Sequence, residues 1–498
     1  MDGGGPNTLR NVPEQLLGNG LLSRHTFEII SRRLNKEQAK EIALRECVQS
    51  EMPYLLIPFD VSTTEANVWV ASVNEGFDPG QLTLESNAGS HPLSPNWESW
   101  ISQNGDQRMD YQRASLKGLQ PSKTYFLSLQ RGGAVRASCR ITTLPSELPT
   151  AEEKPFTALL GSCFCRQSDA SGRVGATYFH LPAAARPDLK ILCGDQVYLD
   201  SPWSHYLFHT HGPDELEGEF FANYLQTWSQ LGDAAGFELL LQDGANYFSS
   251  DDHEFWNNAP DPGAYVRDTW SRTGRSRWME VARTLYEKFQ SNSSVMVFSV
   301  GTLSFFIADT RLNRLSDQTK FMTSADLDAL DAWVTGLNGP GVLVVGQPVF
   351  TEKVGFWGRF TDYGLADFTQ YADLAGILAS SAHSLVVLTG DVHYSRIASC
   401  RLNSGSELVE IVCSPLALVD EKATGKWSKA PAMFPAFELP GVVQAPTQTE
   451  TFSTNAGCFF TLGFSAAGAK VKIKVDMWPI VSGATAPTPS RIFERWLR

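Results

Sequence analysis

Aspartate, histidine, tyrosine and cysteine gather in four short segments of this chain: Gly161-Ser-Cys163, Gly194-Asp-Gln-Val-Tyr198, Asp251-Asp-His-Glu254 and Gly390-Asp-Val-His-Tyr-Ser395. Carboxylates are hard oxygen donors, imidazole and thiolate are softer, and a phenolate suits a hard ferric centre. Asp195 and Tyr198 can turn toward one cation across a tight loop. Asp391 and His393 are two apart and would lie on one side of an extended backbone, able to serve one site. Two cations sharing a carboxylate stand about 3.5–4 Å apart and clamp both ends of an in-line displacement, and they bring the pKa of bound water from about 15.7 toward about 7. Any one segment alone is more simply a turn, an N-cap or a buried thiol. Four together imply a metal centre.

Each segment directly follows, or closely trails, an apolar, β-branched run, so each is expected where a buried strand ends. In open α/β sheets, ligands collect in the crevice beyond the carboxyl ends of the strands. The runs at 156–160, 189–193, 247–249, 295–307, 342–345 and 385–388 alternate with helical stretches and predict an α/β domain. One such helix starts at Ser324, where Thr323 and Asp326 have capping spacing ahead of Leu327, Leu330 and Val334. Upstream, 1–50 reads as helical, and from Pro53 short alternating strands separated by Asp78-Pro-Gly80 and Pro121-Ser-Lys123 predict a β-sandwich. A Pro- and Glu-rich linker at 145–155 divides the two parts. The expected domains are therefore a helical segment at 1–50, a sandwich at 51–146 and a catalytic unit at 155–498.

The sandwich resembles fibronectin type III-like modules in its stretch from Leu116 to Tyr125 and its close at Thr142-Thr-Leu-Pro145. The downstream segments resemble the signature blocks of calcineurin-like metallophosphoesterases. Gly161-Ser-Cys163, the doubled Asp251-Asp252, Asp309-Thr-Arg311 and Gly390-Asp-Val-His-Tyr-Ser395 are similar to the PhoD-like alkaline phosphatase branch. The resemblance implies a four-layer α/β/β/α sandwich behind the fibronectin III-like module. It implies a dinuclear centre of ferric iron with calcium, or with another divalent metal in calcium's place. Cys163, Asp195, Tyr198 and His393 would bind the iron, Asp195 would bridge, and Asp252 and Asp391 would hold the second ion. Gln347 falls where broader relatives carry a metal-binding histidine. His253 would protonate the leaving oxygen and Arg311 would help neutralise the substrate. The implied activity is hydrolysis of small phosphate esters by a metal-bound hydroxide. A phosphodiesterase on the same metals is the alternative reaction, and an inert scaffold binding partners through the sandwich is the alternative class.

Composition limits what else the chain can do. A formal net charge of -13 argues against a nucleic-acid surface, because that affinity relies on Lys and Arg neutralising phosphates. No window approaches 18 uninterrupted apolar residues, so no membrane span is expected, and the first residues lack the pattern of a secretory signal, which predicts a cytoplasmic location. Eight cysteines are too sparse for a disulfide scaffold, and Cys139 and Cys193 read as buried thiols. Cys165 reads as structural or redox-sensitive. His205, His209 and His211 lie among Trp203, Tyr206 and Phe208 and read as a packed loop rather than a metal cluster. The aromatic stretches at 201–244 and 257–289 flank Asp252 and predict a lid, with Trp203, Tyr206, Phe220, Tyr224 and Trp256 narrowing access to the metals.

Overall fold

The structure is a computed structural model that describes residues 54–73, 79–102, 105, 107–169, 172–201, 203–208, 210–228, 237–355, 362–417, 448–468, 470–481 and 487–498. The segment expected to be helical, 1–50, lies outside the described residues. Strands β1 (Tyr54–Val61), β2 (Glu65–Val73), β3 (Leu82–Ser86), β4 (Gly89–His91), β5 (Glu98–Ile101), β6 (Arg108–Lys117), β7 (Thr124–Arg131) and β8 (Ala134–Thr142) open the described chain. They form two four-stranded sheets, β1-β2-β6-β5 and β4-β3-β7-β8. Leu56, Val68 and Val70 pack with Leu84, Leu127, Leu129 and Ile141 between these sheets. The alternate residues Leu55, Ile57 and Trp69 turn the other way, into a cluster shared with the downstream helices. Period-two alternation with both faces apolar thus explains why β1 reads as an unbroken hydrophobic run.

Downstream lie β9 (Phe156–Gly161), β10 (Leu189–Cys193), β11 (Ala245–Ser249), β12 (Val295–Val300), β13 (Leu303–Ala308), β14 (Gly341–Val344) and β15 (Leu385–Thr389). They are followed by β16 (Ser395–Arg401), β17 (Glu407–Val412), β18 (Thr449–Thr454), β19 (Cys458–Ala467), β20 (Lys470–Pro479) and β21 (Ser490–Leu497). A six-stranded sheet runs β11-β10-β9-β19-β20-β21 and a seven-stranded sheet runs β12-β13-β14-β15-β17-β16-β18. Alternation builds the layers. Leu160, Ile191 and Tyr247 of one sheet meet Phe305, Val344 and Leu388 of the other in a common core. Leu159, Leu192 and Phe248 face helices on one outer side, and Phe306, Leu343 and Val387 face helices on the other. The result is the α/β/β/α sandwich that the resemblance implied. Its central strands β9-β10-β11 and β13-β14-β15-β17 are parallel, so their carboxyl ends share one rim.

The first outer layer contains α1 (Arg173–Phe179), α2 (Trp203–Phe208), α3 (Pro213–Trp228), α4 (Phe237–Leu241) and α5 (Arg272–Phe289), and the second contains α6 (Ser324–Thr335) and α7 (Tyr371–Ser380). The α6 start has the expected cap, with the Thr323 side chain accepting from the Asp326 amide at 3.1 Å. Leu330 and Val334 are buried and Leu327 is partly so. The run at 295–307 differs from its reading as one strand: it folds into the hairpin β12–β13, turning at Gly301, whose φ of +56° suits glycine. Among the described residues no helix is long and apolar enough to cross a membrane.

The aromatic stretches expected to form a lid are packed inside. Phe220, Tyr224 and Trp256 are each no more than 1% exposed and Tyr206 is 4% exposed, within the core of the first outer layer. Phe220 meets Trp278, Tyr224 stacks on Phe289, and Trp100 of the sandwich stacks on Phe221 at 4.4 Å. Trp69 of the sandwich meets Phe289 at 5.2 Å. Aromatic side chains have large areas to bury, and here they bury them between α3, α5 and the sandwich. The stretches join the two parts of the chain rather than walling an opening. The side chain of Trp203 and the residue His209 lie outside the described residues.

Candidate metal centre

The four sequence segments meet at the shared rim. One donor atom each from Cys163, Asp195 and His393 lies within 4.8 Å of the others, and the same holds for Asp195, Asp252 and His253, and for Asp251, Asp252 and Asp391. The Tyr198 hydroxyl is 3.5 Å from His393 Nε2, and the Tyr198 ring stacks on that of His253 with centroids 4.1 Å apart. Cys163 Sγ is 3.4 Å from Asp195 Oδ2 and from the Asp391 carbonyl oxygen, and it accepts from Ser414 Oγ at 3.1 Å. The expected ligands Cys163, Asp195, Tyr198, Asp252, Asp391 and His393 are thus brought together with His253.

The backbone carrying them is unusual. Cys163, Asp195, Asp391 and His393 have φ of 56°, 61°, 65° and 55°, the left-handed region that non-glycine residues rarely adopt. Each such residue costs about 1–3 kcal/mol and persists only where its surroundings dictate it. Asp391 and His393 therefore reach one site through a tight turn, closed by the Val392 amide donating to the Gly390 carbonyl at 2.9 Å, and not through the extended backbone expected from their spacing. The preceding glycines leave room for close packing. A Cβ on Gly194 would fall 2.4 Å from that of Asp251, and one on Gly390 2.3 Å from Ser162 Oγ.

Buried groups outside the motifs' expected roles hold this geometry. The Glu254 carboxylate accepts from the amides of Asp195 at 2.8 Å, Gln196 at 2.6 Å and Asp251 at 2.9 Å. It pins two strand-end loops to each other. Asp309 accepts from the Ser250 amide at 2.8 Å, the Tyr286 hydroxyl at 3.0 Å and the Arg311 amide at 2.9 Å, which makes it a brace. Asp200 Oδ1 lies 2.7 Å from His253 Nδ1, while its Oδ2 accepts from the Asn257 amide at 2.8 Å. Arg311 is 2% exposed; its Nε donates to Asp251 Oδ1 at 2.7 Å, and its remaining nitrogens reach Asp362 Oδ2 at 2.7 Å and the Ala259 carbonyl at 2.9 Å. Gln347 donates through Nε2 to Asp391 Oδ2 at 3.0 Å and to Asp362, and its Oε1 accepts from Arg314 at 2.8 Å. A guanidinium only donates, so this orientation of the amide is fixed and aims its NH2 at the carboxylates.

The electrostatics are those of a crowded acidic cluster. Burial, with Asp252, Asp251 and Glu254 adding to it against the opposing charge of His253, pushes Asp195 well above the usual carboxylate range. Asp391 rises likewise through burial and through Asp251, Asp362 and Asp252. Burial leads the rise of Asp251 to about 7. Burial, then Asp195 and Asp391, pushes the Cys163 thiol up, and burial followed by His253 lowers His393 to about 4. For His253 burial acts downward but Asp200, Asp252 and Asp195 outweigh it, and its pKa is raised. A bound cation would reverse the directions on the acids, since its charge dominates such a site. The residues fit one: Asp251 Oδ2 is buried with no hydrogen-bond partner among the described residues, and the Asp251 carboxylate meets those of Asp252 and Asp391.

Asp200, Asp251, Glu254 and Asp362 were not assigned roles by sequence reasoning. Asp251 and Glu254 stand inside a motif already singled out, and Asp200 follows Tyr198 by two positions, which is the only signal for it. Asp362 meets Arg311 across 51 positions and carried none.

No family model matches this sequence, and no curated protein matches it. The fold does have a solved counterpart. The structure titled "Structure of PhoD" matches with a TM-score of 0.58 at 16% identity, covering 89% of this chain and 91% of that one. The chain has a PhoD-like fold.

Proposed function

We propose that this chain is a metal-dependent phosphoric ester hydrolase, an alkaline phosphatase D-like phosphomonoesterase, with a sandwich module over 51–146 and a catalytic unit over 155–498. The observation carrying this reading is the buried meeting of Cys163, Asp195 and His393 with Asp251, Asp252 and Asp391, beside His253, at the strand-end rim. In this reading Cys163, Asp195, Tyr198 and His393 would hold ferric iron. Asp252 and Asp391 would hold calcium, with Asp195 shared between the two ions and Asp251 Oδ2 a further hard oxygen. When bound, the pair supplies Lewis-acid stabilisation of the phosphoryl oxygens and a water of lowered pKa.

The chain's own groups do the remaining work. Asp200 accepts the hydrogen bond from His253 Nδ1–H, stabilises the imidazolium and so leaves Nε2–H to donate its proton to the leaving oxygen, which returns His253 to the neutral form. Arg311 steadies Asp251 and Asp362, and its positive charge lowers the cost of keeping them together. Gln347, a neutral amide, holds Asp391 by donating a hydrogen bond from Nε2. A small phosphate ester is the substrate that this arrangement suits.

The test combines metal analysis of the purified protein with an ester panel. Iron and calcium should be found, aryl phosphate should be hydrolysed faster than the bis-aryl diester, and a visible ferric–tyrosinate band should vanish in Tyr198→Phe. The reverse ester preference would favour the phosphodiesterase reading. Asp252→Asn and His393→Ala should abolish hydrolysis; full activity in both would remove the site assignment, and inactivity of the metal-replete parent toward every ester would favour an inert scaffold.

A further inference from the structure

Outside the acidic centre, two imidazoles and a carboxylate meet on the first outer helical layer. One donor atom each from His205 on α2, His211 in the following loop and Glu219 on α3 lies within 4.8 Å of the others. The aromatic neighbours do pack here, as the sequence implied: Tyr206 meets both histidine rings. The packing also does more, because it orients donors. His211 Nδ1 lies 3.0 Å from Asp268 Oδ2, and Asp268, 4% exposed, is held from its other oxygen by Arg277 at 2.8 Å. An imidazole whose Nδ1–H is taken by a buried carboxylate keeps Nε2 as its electron-pair donor, the arrangement found behind most histidine ligands of metals. Glu219 is oriented too: Oε2 accepts from the Tyr206 hydroxyl at 3.0 Å, and Oε1 sits 2.9 Å from His205 Nε2. Ligands sharing one zinc ion stand about 3.4 Å apart at bond lengths near 2.1 Å, so the His205–Glu219 pair needs only a small opening to admit an ion.

We propose that His205, His211 and Glu219 form a separate site for a borderline divalent metal ion of the zinc class. The chemistry separates it from the main centre. Imidazole-rich sets select zinc and its neighbours, whereas the oxygen-rich cluster at the strand ends suits harder ions. The His205 and Glu219 side chains are 42% and 35% exposed, so the ion can enter from solvent and keep a water as its fourth ligand. The ion would tie α2, which starts three residues beyond Asp200, to α3 and, through Asp268, to the turn Arg267–Trp270. It would stiffen the segment that leads away from the residue positioning His253.

Zinc titration of the protein carrying its own metals, followed by calorimetry or by competition with a chromophoric chelator, tests this. The parent should take up one further equivalent. His205→Gln and Glu219→Gln, both on partly exposed side chains, should weaken that binding at least tenfold while leaving ester hydrolysis without added zinc as in the parent. Asp268→Asn should weaken it by about 10–100-fold, the usual loss when a histidine ligand's carboxylate partner goes. No extra equivalent in the parent, or unchanged zinc binding in both His205→Gln and Glu219→Gln, overturns the proposal. Neither outcome depends on whether the main centre hydrolyses phosphate esters.

Discussion

Asp200→Asn separates a histidine that acts as an acid from one that merely packs. Asp200 is fully buried, with one oxygen on His253 Nδ1 at 2.7 Å and the other on the Asn257 amide at 2.8 Å. Asparagine has nearly the same shape and can keep one of these contacts, so folding and metal content should survive. What it loses is the charge. A hydrogen bond to a charged group contributes about 1.5–3 kcal/mol, which at 1.4 kcal/mol per factor of ten is a rate loss of about 10–150-fold. That loss should fall on poor leaving groups. An alkoxide needs the proton, whereas a nitrophenolate leaves without it, so alkyl phosphates should suffer the full factor and nitrophenyl phosphate little. The pH profile should move as well. Burial acts to lower the His253 pKa and Asp200 leads the charges that raise it, so removing that charge lowers the pKa. The protonated form is then lost sooner on the alkaline side, and the falling limb of kcat/KM should shift to lower pH. The assay is kcat/KM against pH for a series of esters of graded leaving-group pKa. A uniform loss across that series with an unmoved alkaline limb would refute the acid role of His253.

Gly194→Ala should cost about 2–4 kcal/mol by denaturant melting and weaken metal retention, because the new Cβ would lie 2.4 Å from Asp251 Cβ at a φ of +90°; Gly405→Ala, at a φ of +80° with nothing within 4 Å, should cost only about 1 kcal/mol. Arg311→Met leaves Asp251 and Asp362 without their buried partner and should cost about 3–5 kcal/mol of stability; a rise in KM with unchanged stability would instead place Arg311 on the substrate. Stripping the metals should reverse the protein's pH response. Carboxyls whose folded pKa is raised, such as Asp195, Asp391 and Asp251, hold protons that the unfolded chain releases, so their contribution is complete below the unfolded value near 3.9 and is lost as pH rises through the folded one, about 7 for Asp251. Chelated protein should therefore melt several degrees lower at pH 8 than at pH 5.5, and metal addition should abolish that slope in a calorimetric scan.

Much of the layering was legible because burial on alternating faces leaves a period-two trace, as in Ala158-Leu159-Leu160, where the flanking residues face one core and Leu159 the other. The Thr323 cap was legible for a similarly local reason: a side chain three residues from its amide partner leaves its mark in the sequence. The lid was not. An aromatic run signals burial without saying against what, and only the docking of the sandwich through Trp69 and Trp100 decides that Phe221 and Phe289 are cement between the two parts. The hairpin at Gly301 was hidden because both of its strands are apolar and the single glycine between them breaks no pattern.

At the site, residue types were legible and conformation was not. Spacing suggested that Asp391 and His393 share a side of an extended strand, but they share a site because both turn left-handed. Asp, Asn and His enter that region more readily than other side chains, which makes these residues suited to it without announcing it. Strain of this kind needs support from outside the motif, and the support is largely anionic: Glu254 holds three amides, Asp309 holds the Arg311 turn, and Asp362 holds Arg311 itself. The acids that would bind metal and the acids that shape the loops therefore occupy one buried volume and repel one another. A cation relieves both the repulsion and the desolvation cost at once. Metal loading should accordingly stabilise these strand-end turns, because an ion that binds the folded site and not the unfolded chain adds its binding free energy to folding.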